Sequence, residues 1–450
     1  MRNKIDVVHA GSLSTRDTTI SVMIIGLMFF IFGFVTWINA ILIPYFKISC
    51  ELNTVQSLLV AFAFYIAYFI MAIPASYLLK AVGFKKGIMI GFWIMALGAL
   101  IFVPAALTRT YGVFLLGLFS IGTGLAILQP AANTYITLIG SKERAAQRMS
   151  IMGVCNKTAG IIAPLLLAAA ILRPTDTELF KQIPLMDEVT RNAALDELIR
   201  RVIVPYASVA VVLLGLGLMI RYSILPEIDT EHETTEVASS NVGKTRIIQF
   251  PHLILGAVAI FLHVGSQVTG INTVIGYAQS LNLPLLEAKV FPSYILAITM
   301  LGFLSGIILI PKYIKQLNVL RLCTTSAFLF TLLFFIVHGQ ITFLGHTADM
   351  SIWVLVILGL SNSLMWSAIW PLALEGLGRF TKMGGSILIM GLCGSAIVPL
   401  IYGHYADKFS PHAAYWVLLP CYIYLMFYAF YGYRVRSWSF KKNNNQFTGQ

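Results

Sequence analysis

Ten residues of this chain carry polar or aromatic chemistry in places where it is costly. Asn39, Gln129, Asn133, Asn156, Lys157, Gln267, Asn272 and Asn362 put amides and one ammonium inside long apolar runs, with Trp37 and Trp366 beside them. An unpaired amide or charge in hydrocarbon costs several kcal/mol or more, so such side chains face a polar interior path or one another. Gln129 and Asn133, four apart, share a helix face, and Asn362, Trp366 and Trp370 make a stripe at intervals of four. Gln267 and Asn272 flank Gly270 five apart, so both reach one cavity only where their helix is locally irregular. An amide both donates and accepts, and an indole offers a flat apolar face. Together they suit a polyhydroxylated ring, its hydroxyls on amides and its C–H face on tryptophan. The same amides also serve as glue between helices, and Trp370, near a helix end, suits an interfacial anchor. Their spread over both halves of the chain points to a shared cavity.

Lys157 is the sharpest signal: the only basic residue well inside a predicted span, with no Asp or Glu comparably deep. Glu51 and Glu375 fall at helix ends. An ammonium without a counter-ion must be solvated by amides and water or give up its proton. It reads as a substrate contact or a conformational lock, the alternative being a side chain that snorkels to a membrane face. Cys50, Cys155, Cys323, Cys393 and Cys421 show no metal-ligand or CxxC spacing, and no nucleophile–base pair appears. An enzyme, a cofactor and a metal site are therefore not expected.

The elements that hold these residues must be membrane helices. Of 450 residues 58% are hydrophobic and 11% charged, against about 25% charged in soluble domains. The apolar runs are long enough to cross a hydrocarbon core about 30 Å thick, where a helix satisfies its own backbone. The expected spans are 21–46, 55–79, 87–107, 111–139, 149–172 and 203–222, then 251–281, 291–311, 319–337, 351–374, 384–404 and 413–433. The net charge of +12 forms no basic block, so nucleic acid is not a partner. Instead 21 of the Lys and Arg residues fall on the side of the termini and nine on the other, five of these in loop 173–202. The bias predicts both termini in the cytoplasm. The domain plan is a tail 1–20, a six-helix bundle 21–222, a linker 223–250, a second bundle 251–433 and a tail 434–450. The linker is acidic and aperiodic, and loop 173–202 holds a short surface helix over Met186–Arg201.

The two halves echo each other. Met152-Gly153-Val154-Cys155 followed by Pro164-Leu165 in the fifth span matches Met390-Gly391-Leu392-Cys393 followed by Pro399-Leu400 in the eleventh. Each block follows a basic, glycine-containing loop and a span bearing Pro130 or Pro371. A parallel six-plus-six repeat puts the match there, and transporters of that plan bind near the midplane and rock one half against the other.

These residues also resemble the fucose/glucose/galactose:proton symporter family of the major facilitator superfamily. Phe29 to Thr36 with Asn39 and Ile41-Leu42-Ile43-Pro44 is similar to its first helix, Ala131-Ala132-Asn133 to its fourth and Asn156 to its fifth. Asn156-Lys157, Gly306 to Tyr313 and Trp370 to Gly378 resemble its glucose/galactose and N-acetylglucosamine branch. The resemblance implies an all-α major facilitator fold of twelve helices and transport of a hexose or N-acetylated amino sugar across the cytoplasmic membrane. It also implies a co-transported proton or sodium ion and a monomer in the bilayer. Where the family's carboxylates stand, this chain has Ala40, Gln129, Gln267 and Asn272. None of the four titrates, so an uncoupled facilitator and an acidic-sugar carrier using Lys157 stand beside a symporter. A transport-dead sugar sensor would carry an added domain or long tail; the linker and tail here are short.

Overall fold

The computed structural model describes residues 15–138, 145–223, 246–309, 313–377 and 380–438. Residues 1–14, most of the linker, the end of the second tail and the Asn133 side chain lie outside the described residues. The first half comprises α1 (Thr15–Trp37), α2 (Asn39–Ser49), α3 (Thr54–Val82), α4 (Phe84–Thr108), α5 (Tyr111–Leu138), α6 (Ala145–Ile171), α7 (Asp176–Gln182), α8 (Glu188–Arg200) and α9 (Ile203–Tyr222). The second comprises α10 (Pro251–Ser280), α11 (Leu285–Ala288), α12 (Phe291–Leu309), α13 (Gln316–Ile336), α14 (Met350–Asn362) and α15 (Met365–Leu374). It continues through α16 (Thr381–Met390), α17 (Gly394–Lys408), α18 (Pro411–Ala414) and α19 (Leu418–Phe430). Among the described residues 12 helical segments are long and apolar enough to span a membrane.

Three expected spans are broken in their interior: α1/α2 at Ile38, α14/α15 at Ser363 and Leu364, and α16/α17 through a 3-10 turn at Gly391–Cys393; another 3-10 turn, Tyr415–Val417, joins α18 to α19 near the start of the twelfth. Each break precedes a segment with a proline inside it, Pro44, Pro371 or Pro399. Proline lacks an N–H and crowds the carbonyl four residues back, which loosens the preceding turn. The carbonyl so released by Pro371 belongs to Ser367, and Gln316 Nε2 donates to it at 3.0 Å. Pro74, Pro104, Pro130 and Pro164 sit in unbroken helices, so packing neighbours decide whether the turn gives.

The two halves pack alike. In the first, α1 lies on α6, α3 on α5, and α4 on α5 and α9; in the second, α10 lies on α17, α12 on α14, and α13 on α14 and α19. The halves meet through α6 with α12, α3 with α17, and α2 with α10. At the end away from the chain termini, the Asp407 carboxylate of α17 accepts from Thr54 N at 3.0 Å and Val55 N at 2.9 Å. It thus caps α3 of the other half, while Lys47 Nζ donates to Thr54 Oγ1 at 2.8 Å. This far end is latched.

The loop after α6 folds as a cap over the same end. The surface helix expected there is α8, with Asp187 accepting from Thr190 N as its N-cap. Leu195, Leu198 and Ile199 are fully buried beneath it, and Arg201 pairs with the buried Asp176 at 2.7 Å. Arg109 ties the cap to α4 through Asp196 at 3.1 Å and Asn192 at 2.8 Å. A hairpin not anticipated from the sequence, β1 (Gln340–Phe343) and β2 (His346–Asp349), joins α13 to α14. Leu344 and Gly345 both have positive φ, as a two-residue hairpin turn requires.

Candidate functional site

One face of α6 meets α1 and the next meets the opposite half. Asn156 Nδ2 donates to the Phe29 carbonyl at 3.3 Å, and Trp37 Nε1 donates to Asn156 Oδ1 at 3.5 Å. Gly160, one turn on, leaves room for the Trp37 indole; a Cβ there would collide with the ring. The Lys157 ammonium lies 4.3 Å from the centroid of that ring. A desolvated cation on tryptophan gains about 2 kcal/mol. Lys157 is only 7% exposed, and among the described residues no carboxylate pairs with it. From the same side of α6, Thr158 Oγ1 lies 3.7 Å from Met300 Sδ, and the Ile161 carbonyl accepts from Ser293 Oγ at 2.7 Å. Both partners belong to α12. Lys157 therefore sits at the seam between halves.

The opposite wall is α10, an unbroken helix. Gln267 is half-buried and shares a face with Gly270, where an added Cβ would meet nothing within 4 Å. That face opens on free space. Asn272 lies about 140° round the helix from Gln267, is buried, and has an Nδ2 without a partner. The helix is regular, so the two residues do not share a wall. His263, one turn before Gln267 on the same face, is 1% exposed with Nδ1 unpartnered.

The remaining expected residues are dispersed. Gln129 Nε2 donates to Tyr68 Oη at 3.0 Å, a bond within the first half. Asn362 and Tyr422 bond each other within the second, at 3.0 and 3.2 Å. Asn39 is fully buried with both amide atoms unpartnered, and lines a small void with Phe34, Phe64, Tyr206 and Leu213 inside the first half. Trp366 stacks on Trp370 with centroids 5.3 Å apart. Asn133 falls in α5, its side chain outside the described residues. Trp37, Asn156 and Lys157 are thus brought together, with Gln267 on the facing helix; Asn39, Asn272 and Asn362 do not join them. Two residues were missed: Lys157 is not the sole basic group inside a span, since His263 is a second, and Asp407 closes the far end. His263 was legible as a histidine in an apolar run; a tally of Lys and Arg passed over it.

With this geometry in hand, the chain matches the Major Facilitator Superfamily over residues 25–399. It is 33% identical over 427 residues to a glucose/galactose transporter of Brucella abortus, covering 94% of this chain and 97% of that one. It is 29% identical over 430 residues to a putative glucose/galactose transporter of Helicobacter pylori, covering 94% and 99%. Among solved structures, the Escherichia coli fucose:proton symporter FucP superposes with a TM-score of 0.68 at 25% identity, over 94% of this chain and 100% of that one.

Proposed function

Because the chain belongs to the Major Facilitator Superfamily, we propose that it carries a hexose of the glucose/galactose type, or an N-acetylated amino sugar, across the cytoplasmic membrane by alternating access. The observation that carries this reading is the Trp37–Asn156–Lys157 group at the seam of two six-helix halves, with Gln267 on the facing helix. The indole supplies a flat apolar face, the amides donate and accept, and the ammonium donates to ring hydroxyls. The names of the relatives support a sugar as cargo.

Both termini are cytoplasmic in this reading, so the end closed by Asp407 is the external one and the arrangement faces inward. Rocking the halves about the seam breaks that latch and opens the site outward. Coupling to a cation follows the fucose:proton symporter relative. The uncharged Ala40, Gln129, Gln267 and Asn272 favour a second reading, an uncoupled facilitator.

Counterflow of labelled sugars in proteoliposomes tests the function. Glucose, galactose or N-acetylglucosamine exchanges across the membrane and competes for one site; a panel in which no sugar exchanges overturns the proposal. Repeating uptake with an uncoupler, and with and without sodium, separates symport from facilitation.

A further inference from the structure

Two helices of the second half stand away from the seam. The antiparallel α13 and α19 pack on each other and otherwise chiefly on α10, α14 and α15. Within the spans Gln316–Ile336 and Pro411–Phe430 they expose Leu322, Leu329, Ile423 and Phe427. Apolar side chains exposed inside a span lie against acyl chains.

One charge interrupts that surface. Arg321 is the sixth residue of its span and half-buried, and a guanidinium does not shed its proton. Its Nε donates to the Ala429 carbonyl near the end of α19 at 3.3 Å, and its Cζ lies 5.1 Å from the centroid of the Phe430 ring. These contacts fix the fork where α19 ends. Its four terminal N–H donors have no acceptor among the described residues. A second guanidinium follows. Arg434 closes the 3-10 turn Gly432–Arg434, five residues past Ala429 and so about 8–10 Å further along the chain. It is exposed, and its Nε donates to Tyr433 Oη at 2.6 Å. Among the described residues no carboxylate pairs with either arginine. Glu375, at the same end, is taken by Arg436 at 2.8 Å.

The matching corner of the first half is simpler. Lys85, at the start of α4, donates to the Ser223 carbonyl just past α9. A cation on the end of a neighbouring helix is thus by itself a packing device. The second half adds a fork with donors to spare, a second arginine and the Phe430 and Tyr433 rings.

We propose that the cleft where α19 ends on α13 binds an anionic phospholipid. Arg321 and Arg434 hold its phosphate, and its acyl chains lie along the exposed apolar faces of the two helices. A planar guanidinium meets two phosphate oxygens at once, and the low dielectric beside the acyl chains strengthens the pairing. A zwitterionic lipid offers the same phosphate but brings a cation that the two arginines repel. Free phosphate lacks the chains that hold a headgroup at this depth. The cleft lies apart from the seam, so the inference is independent of the cargo.

Native mass spectrometry of the full chain tests the site, with dioleoylphosphatidylglycerol and dioleoylphosphatidylcholine as probes. Wild type binds the glycerol lipid about fivefold more tightly than the choline lipid. Arg321→Gln lowers phosphatidylglycerol affinity about fivefold and leaves phosphatidylcholine unchanged, while Arg321→Lys, which keeps the charge but not the fork, recovers part of the loss. Arg434→Gln gives a smaller loss in the same direction; its side chain is exposed, so this variant carries the test even where Arg321→Gln fails to fold. Arg221→Gln, at an exposed arginine ending α9 of the first half, stays at wild-type affinity. Folding is checked by size exclusion. Equal falls for Arg221→Gln and Arg321→Gln mean diffuse surface charge and overturn the site, as does wild-type affinity in either folded cleft variant. Displacement of the lipid by millimolar inorganic phosphate overturns a lipid as the occupant.

Discussion

The two halves cross their first and fifth helices at equivalent points but differ in what the crossing leaves on the fifth. In the first half the glycine is on the first helix: a Cβ on Gly33 would overlap the Asn156 carbonyl of α6. In the second, glycine stands on both helices: a Cβ on Gly394 would overlap the Phe261 carbonyl of α10, and one on Gly265 of α10 would lie 2.9 Å from the Gly394 carbonyl. Asn156 and Gly394 occupy matching places after the repeated Met-Gly-x-Cys block. Backbone contact is kept in both halves, but only the first half leaves a side chain at the α6 position, free to bond Phe29 and Trp37. Keeping glycine on the first helix alone makes that wall polar without opening the bundle. The block's own glycines diverge as well. Gly153 faces open space, whereas Gly391 packs 2.9 Å from Ile260 Cγ2 and 3.0 Å from the Ala257 carbonyl, measured from an added Cβ.

The largest effect that tests this comparison is overpacking at the crossings. Gly33→Ala and Gly394→Ala each drive a methyl into partner backbone, and each lowers stability by about 3 kcal/mol, read as a fall in melting temperature in detergent. Tolerance of either one breaks the equivalence of the two crossings. Next come the amides. Asn362→Leu strands the buried Tyr422 hydroxyl and costs about 1–3 kcal/mol of stability, with sugar exchange per folded molecule kept within about twofold. Asn156→Leu removes a half-buried group, costs about 1 kcal/mol, and cuts exchange about tenfold. Equal losses of exchange would erase the distinction between a seam amide and a bundle amide. A smaller effect is expected at the latch: Asp407→Asn removes a charge from the start of α3, worth about 0.3–1 kcal/mol. Amide exchange at Thr54 and Val55 then rises a few-fold; unchanged protection would remove the latch from the account. Smallest is the glycine contrast within the repeat. Gly391→Ala costs about 1 kcal/mol, while Gly153→Ala stays within about 0.5 kcal/mol of wild type.

The candidate site was legible in part. Asn156, Lys157 and Trp37 stood out because an ammonium and its neighbours interrupt an apolar run, and they do meet. Asn39, in the same run as Trp37, turns instead into its own bundle beside Tyr206. The difference is rotation about the helix axis across the break at Ile38, which no local pattern records. Asn362 with Trp366 looked like one stripe, but the break at Ser363 and Leu364 separates them onto α14 and α15. Gln267 and Asn272 were both expected at the site, but five residues do not return to one face of a regular helix.

By itself, the sequence determined that this chain makes twelve spanning helices in two related halves of the major facilitator type. Span length and backbone self-satisfaction in lipid are local properties, and the repeated block with its prolines is local too. Only the tertiary structure decided which amides face the seam and which tie helices within a bundle. Those outcomes depend on how each helix is turned. A helix apolar on every side carries no stripe to say so, because lipid and neighbouring helices accept the same side chains and packing alone selects the face.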